Sequence, residues 1–135
     1  MIIPKIIMNS LASYGTMTYK TGDKFFVSTQ RLVPVISGYT SVRSDKFDTL
    51  EEAIADLNTK FEALKQRQEF LANNHLELLA ELCQKHDWNY VYSDDSSKYD
   101  AGKRNHDMMR QIIDEYGDPA KEIWNAHVPS QKFQI

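Results

Sequence analysis

The chain has 135 residues and a mass of 15.7 kDa, the size of one domain able to bury a core of its own. With 41% hydrophobic and 26% charged residues it is not a disordered polyelectrolyte, and a formal net charge of -3 excludes an all-over polycation. A single cysteine, Cys83, excludes an intrachain disulfide and points to a reducing, cytoplasmic setting.

The opening stretch, residues 1–8, is apolar but too short for a signal-peptide core, and Pro4 and Lys5 interrupt it. No apolar run reaches the ~20 residues of a membrane span, so no membrane partner is expected. Charge is unevenly divided. Residues 1–48 carry Lys5, Lys20, Lys24, Arg31, Arg43 and Lys46 against Asp23, Asp45 and Asp48, which is +3 and leaves -6 for the remainder. Such asymmetry can orient a protein towards a polyanion.

Residues 14–43 read as strands. Thr16–Lys20 and Lys24–Thr29 flank Thr21-Gly22-Asp23, a hairpin signal. Arg31–Ser37 is a third β-rich run, and Pro34 inside it demands an edge or a bulge. Gly38 punctuates, and Tyr39–Arg43 alternates as a fourth strand. An antiparallel meander of three or four strands follows, and its apolar face needs a cover.

Phe47-Asp48-Thr49-Leu50-Glu51-Glu52 opens the helical half, with Thr49 and Glu52 spaced as a capping box. Leucines then recur every seven residues at Leu50, Leu57, Leu64, Leu71 and Leu78, interleaved with Ile54, Phe61, Gln68, His75 and Leu82. This is a 4-3 heptad pattern. As one helix, residues 49–86 would span ~57 Å, longer than the ~37 Å diameter of a globule of this size. The helix must therefore project or break, and Asn73-Asn74, with Glu77 behind, is the site for a break. The register passes that pair without a slip, which favours continuity.

A projecting stripe needs a partner, and Leu57, Phe61, Leu64, Gln68, Leu71, His75 and Leu78 are the expected interaction residues. Self-association is the simplest solution. In a parallel pair Lys60 would face Lys65, so an antiparallel arrangement or a bundle is expected rather than a simple parallel zipper. His75 at a core position would loosen such a seam on charging near pH ~6. The same stripe also suits a globular core, because beyond Phe70 it widens through Leu76, Leu79 and Cys83.

Trp88–Tyr92 alternates aromatics as a short extended segment, and residues 93–98 form a polar loop. A helix from about Lys103 to Tyr116 has the apolar face Met108, Met109, Ile112, Ile113, Tyr116 and ends at Gly117. Asp118-Pro119 starts a last short helix stopped by Pro129.

The fold class is thus α+β: an N-terminal β-meander, a long heptad-patterned helix and two shorter C-terminal helices. It is one domain over 1–135, divided into a basic β-rich segment (1–48), the long helix (49–86, with a break near 73–74 as the alternative) and a mixed segment (87–135).

Catalytic signatures are missing: no Gly-rich phosphate loop, no zinc spacing and no nucleophile elbow. Two His-Asp pairs, His86-Asp87 and His106-Asp107, match an element of helical metal-dependent phosphohydrolases, with His75 and Asp114 as the remaining ligands at short spacing. That is the third functional reading; no catalytic residue, metal or cofactor is assigned. Strands followed by Phe47-Asp48-Thr49-Leu50-Glu51-Glu52-Ala53 resemble the strand-to-helix corner of small sheet-plus-helix DNA-binding modules such as integrase arm-binding domains. The resemblance is confined to this corner. It implies that Lys20, Lys24, Arg31 and Arg43 contact nucleic acid, which is the second reading. The leading expectation is a non-enzymatic protein-interaction or regulatory protein. It would be an assembly factor, adaptor or inhibitor, as in phage and mobile-element accessory proteins, acting through the long helix and oligomerisation.

Overall fold

A computed structural model describes residues 3, 6–128, 130 and 132–134. Its elements are α1 (Leu11–Tyr14), β1 (Thr16–Thr21), β2 (Lys24–Thr29), β3 (Val33–Val35), β4 (Gly38–Thr40), α2 (Leu50–Asn73), α3 (His75–Lys85), a 3-10 turn (Tyr90–Tyr92), α4 (Ser96–Tyr116) and α5 (Asp118–His127). The class is α+β, with all four strands between the one-turn helix α1 and the long helix α2. They form two antiparallel two-stranded sheets, β1–β2 and β3–β4. The chain divides into two compact units, one ending at Phe70 and the other beginning at Leu71.

In the first unit the β1–β2 register is unbroken from Thr16↔Thr29 to Thr21↔Lys24. The loop is therefore Gly22-Asp23 alone. Gly22 has φ +61 and Asp23 has no positive φ, the signature of a type II′ turn, which matches the twist of the strands it joins. β3 and β4 pair from Val33↔Thr40 to Val35↔Gly38, so Pro34 sits on a strand with a free edge, where its missing N–H costs nothing. The fourth strand is shorter than the alternation at 39–43 predicts, because residues 42–47 leave β3 and run along β2. There the Phe25 amide donates to the Phe47 carbonyl (2.7 Å), the Ser44 amide to Val27 (2.8 Å) and the Thr29 amide to Val42 (2.9 Å). Two buried hydroxyls complete this seam: Ser44 Oγ accepts from the Val27 amide and Thr29 Oγ1 from the Val42 amide.

The capping box at the start of α2 forms in part. The Glu52 amide donates to Thr49 Oγ1 (3.3 Å), while the Glu52 carboxylate accepts from the Thr49 hydroxyl (2.9 Å). Ala53, Leu57 and Phe61 then project into a core with Met8, Tyr14, Val27, Val33 and Val42, and Leu64 packs at its margin. Gln68, though polar, is buried, and its Oε1 accepts from the buried Ile36 amide at 2.8 Å.

The heptad run is not one helix. α2 ends at Asn73, Asn74 adopts the non-helical φ -136, ψ 80, and α3 begins at His75 with Glu77 in its first turn. Two consecutive asparagines, whose side chains compete for backbone groups, outweigh the continuity of the stripe.

In the second unit α3 packs against α4 and α5, and α4 against α5. Leu78, Leu79, Leu82, Cys83, Met108, Met109, Ile112, Ile113, Ala120 and Trp124 are buried there. The aromatic run at 88–92 is not a strand but a turn that leads into the 3-10 element Tyr90–Tyr92, since no strand is available to pair with it among the described residues. The polar loop is shorter than expected, and α4 starts at Ser96, seven residues before Lys103. Asp95 is the reason: its Oδ1 accepts from the Ser97 amide (2.9 Å) and hydroxyl (2.7 Å), a side-chain N-cap that also holds its carboxyl below the usual carboxylate range. α4 ends at Gly117 and α5 carries its proline in the first turn, as expected. The proposed stop at Pro129 lies outside the described residues. Among the described residues no helix is long and apolar enough to cross a membrane.

Candidate functional site

The stripe nominated for association is largely interior. Leu57, Phe61, Leu71 and Leu78 are each no more than 1% exposed, Gln68 is buried, and Leu64 and His75 are half-buried. In the first unit Leu57, Phe61, Leu64 and Gln68 are joined with the strands. In the second, His75 Nδ1 lies 3.0 Å from the Tyr116 hydroxyl and Nε2 lies 3.2 Å from the Ala72 carbonyl. Only the first heptad is exposed, at Leu50 and Ile54.

The four basic residues of the alternative site occupy different settings. Lys24 pairs with Asp48, so its charge is matched locally. Arg31 Nη1 donates to the Ser13 carbonyl at 3.1 Å. Lys20 Nζ stands 5.3 Å over the Phe25 ring and the Arg43 guanidinium 4.0 Å over Phe26. Strand geometry explains the division, because successive side chains point to opposite faces. Phe25 and Val27 face the core, so Phe26 and its cross-strand partner Tyr19 must face outward.

The outward face is thereby assembled from three chain segments. Tyr19 and Phe26 stack with ring centroids 4.7 Å apart at 12°. Arg43, bridged to β2 through Ser28, covers the far side of the pair. The Tyr19 hydroxyl lies 3.6 Å from Met17 Sδ, and Met17 and Tyr19 are 43% and 38% exposed. Contiguous exposed apolar side chains, unlike scattered ones, mark contact surfaces, and Tyr, Met and Arg are enriched where proteins meet.

The segment that presents Arg43 is tied to α2. The Asp45 amide donates to Asp56 Oδ2 (2.8 Å), and Lys60 Nζ reaches both Asp45 Oδ1 (2.7 Å) and Asp56 Oδ2 (3.0 Å). The Asp45 amide, then Lys60, holds the Asp56 carboxyl below its usual range, and Asp45, then Asp56, holds the Lys60 ammonium above its own. The network is exposed, so it fixes geometry more than it stabilises. It also occupies Lys60, the residue expected from the sequence to face Lys65 in a parallel pair.

A second concentration of chemistry lies in the other unit. His86 is buried, with neither ring nitrogen hydrogen-bonded to a described residue. Its ring meets Trp88 edge-on at 4.6 Å, Tyr90 at 5.4 Å and His106 at 6.0 Å. Burial first, then the neighbouring His106, pushes its pKa down, and Asp87 opposes this. Two of the four histidines are thus neighbours, while His75 sits against Tyr116. Among the described residues no group of three or more His, Cys, Asp or Glu is placed to hold a metal ion. Cys83 is buried, its Sγ 3.8 Å from Met109 Sδ, and burial raises its thiol pKa to about 11, the opposite of an activated nucleophile.

Sequence reasoning passed over Tyr19 and Phe26. The signal was the dipeptide Phe25-Phe26, since two adjacent aromatics in one strand cannot both enter the same core. Comparison with protein-family models, with curated proteins and with solved structures gives no match.

Proposed function

We propose that this chain is a non-enzymatic protein-interaction protein, an assembly factor, adaptor or inhibitor, whose recognition surface is the outer face of the β1–β2 hairpin. The exposed Tyr19, stacked on the half-buried Phe26 and flanked by Met17 and Arg43, carries this reading. Aromatic and arginine side chains dominate binding energy where they enter a partner's pocket, and here they stand already ordered by stacking. The helical stripe is spent on the interior, which moves the expected contact surface from α2 to the hairpin. A photo-crosslinking residue at position 19 of the full chain, with position 62 on α2 as control, tests the proposal. Nuclease-resistant adducts to a protein other than this chain, formed at 19 and not at 62, are expected; such adducts formed only at 62, or at 19 only to a second copy of this chain, would refute it.

A second reading rests on the same stack. An arginine lying on an aromatic beside a second aromatic is also a platform for unpaired bases. It predicts binding to single-stranded DNA or RNA that falls steeply as salt rises and is lost in Tyr19→Ser. Nuclease-sensitive adducts at position 19 would favour it over a protein partner.

A further inference from the structure

The free edge of β1 carries a different kind of information from its face. β2 gives the backbone groups of Phe25, Val27 and Thr29 to the 42–47 segment. In an antiparallel ladder the residues opposite them, Lys20, Thr18 and Thr16, must then turn their amides and carbonyls away from β2. Among the described residues nothing pairs with those groups, and all six residues of β1 are exposed. Proteins usually blunt such an edge with a proline, a bulge, a charge or brevity. β3 shows two of these devices, being three residues long with Pro34 at its centre. β1 has six residues, no proline and no bulge, and its one charge, Lys20, lies back over the Phe25 ring.

We propose that β1 pairs antiparallel with β1 of a second copy of this chain, about a two-fold axis through Thr18. Only this register joins all three outward-facing residues to one another, Thr18 with Thr18 and Thr16 with Lys20 on each side, each pair exchanging two hydrogen bonds. It places Met17 of one copy against Tyr19 of the other on the outer face, a favourable sulfur–aromatic pairing. It sets threonine against threonine at the axis and no charge against a like charge. A strand that is complementary to itself in this way closes as a two-fold dimer and leaves no further edge of its own exposed. The two Tyr19–Phe26 faces then lie on the same side of one continuous sheet. The inference goes beyond the proposed function, because it concerns the edge and holds whatever the face binds.

Sedimentation of the full chain over rising concentration tests it. A reversible dimer, twice the chain mass, is expected. Thr18→Pro removes an outward amide that β2 does not use, so it keeps the hairpin and weakens the dimer about tenfold or more, two hydrogen bonds being lost per dimer. Thr18→Lys sets two ammonium groups together at the axis and weakens the dimer most at low salt; it decides the matter should Thr18→Pro not fold. Tyr39→Ser, on the exposed side of β4, leaves the dimer intact. A chain that stays monomeric up to about 1 mM, where association is worth only about 4 kcal/mol, overturns the proposal. So does a dimer that persists in both Thr18 variants.

Discussion

Gln68→Met separates the two uses of the heptad stripe by the sign of its effect. In an intermolecular seam, a polar residue at a core position costs stability, so replacing it with an apolar side chain of similar length should strengthen both fold and association. In the structure Gln68 is 8% exposed and its Oε1 accepts from the Ile36 amide, at a residue 3% exposed, over 2.8 Å. Methionine fills the same space and accepts poorly, so a buried amide is left unsatisfied at a cost of about 1–3 kcal/mol. For a chain of this size that lowers the melting temperature by about 4 °C for each kcal/mol. Thermal melts followed by circular dichroism at two protein concentrations read the global effect. Hydrogen exchange at the Ile36 amide reads the local one and should accelerate. A raised melting temperature, growing with concentration and accompanied by unchanged exchange at Ile36, would place Gln68 in an intermolecular seam instead.

Gly102→Ala should destabilise the second unit by about 1–3 kcal/mol, because an added Cβ would meet Tyr90 Cβ and Cγ at 2.3 Å, and Tyr90 Cβ, fixed by its backbone, cannot swing clear by rotation; urea denaturation followed by tryptophan fluorescence measures it. His86 has a folded-state pKa below its ordinary 6.5, so the unfolded state binds its proton more tightly. The His86 contribution is therefore full above about pH 6.5 and lost as pH falls below it. Fluorescence melts should show that loss, and His86→Phe should flatten it. Cys83, buried and with a thiol pKa of about 11, should resist alkylation in the native chain at neutral pH and react once urea unfolds it; labelling before unfolding would contradict the packing of α3.

Local chemistry made much of this fold legible. Gly22, the spacing of Thr49 and Glu52, Gly117 and Pro119 each act within a few residues, and each stands where the sequence put it. The Asp95 cap is equally local and was hidden only because Ser93–Lys98 reads as uniformly polar. The failures were long-range. A 4-3 spacing describes one apolar face, and a face packed under strands looks the same as one packed on a second chain. Nothing near Gln68 shows that its partner is the Ile36 amide, 32 positions earlier. The hairpin face was obscured in a similar way, because Arg43 reaches Phe26 only after residues 42–47 return along β2.

The leucine stripe is largely interior to the fold, and the proposed contact surfaces lie on the β1–β2 hairpin. Leu71→Asp tests this placement most directly, with melting temperature and solution mass measured on the same sample. Leu71 is fully buried, so a carboxylate there must unfold its surroundings or be neutralised. A large fall in melting temperature is expected, with stoichiometry unchanged while the chain remains folded. A variant that melts like the parent but has lost its self-association would contradict it.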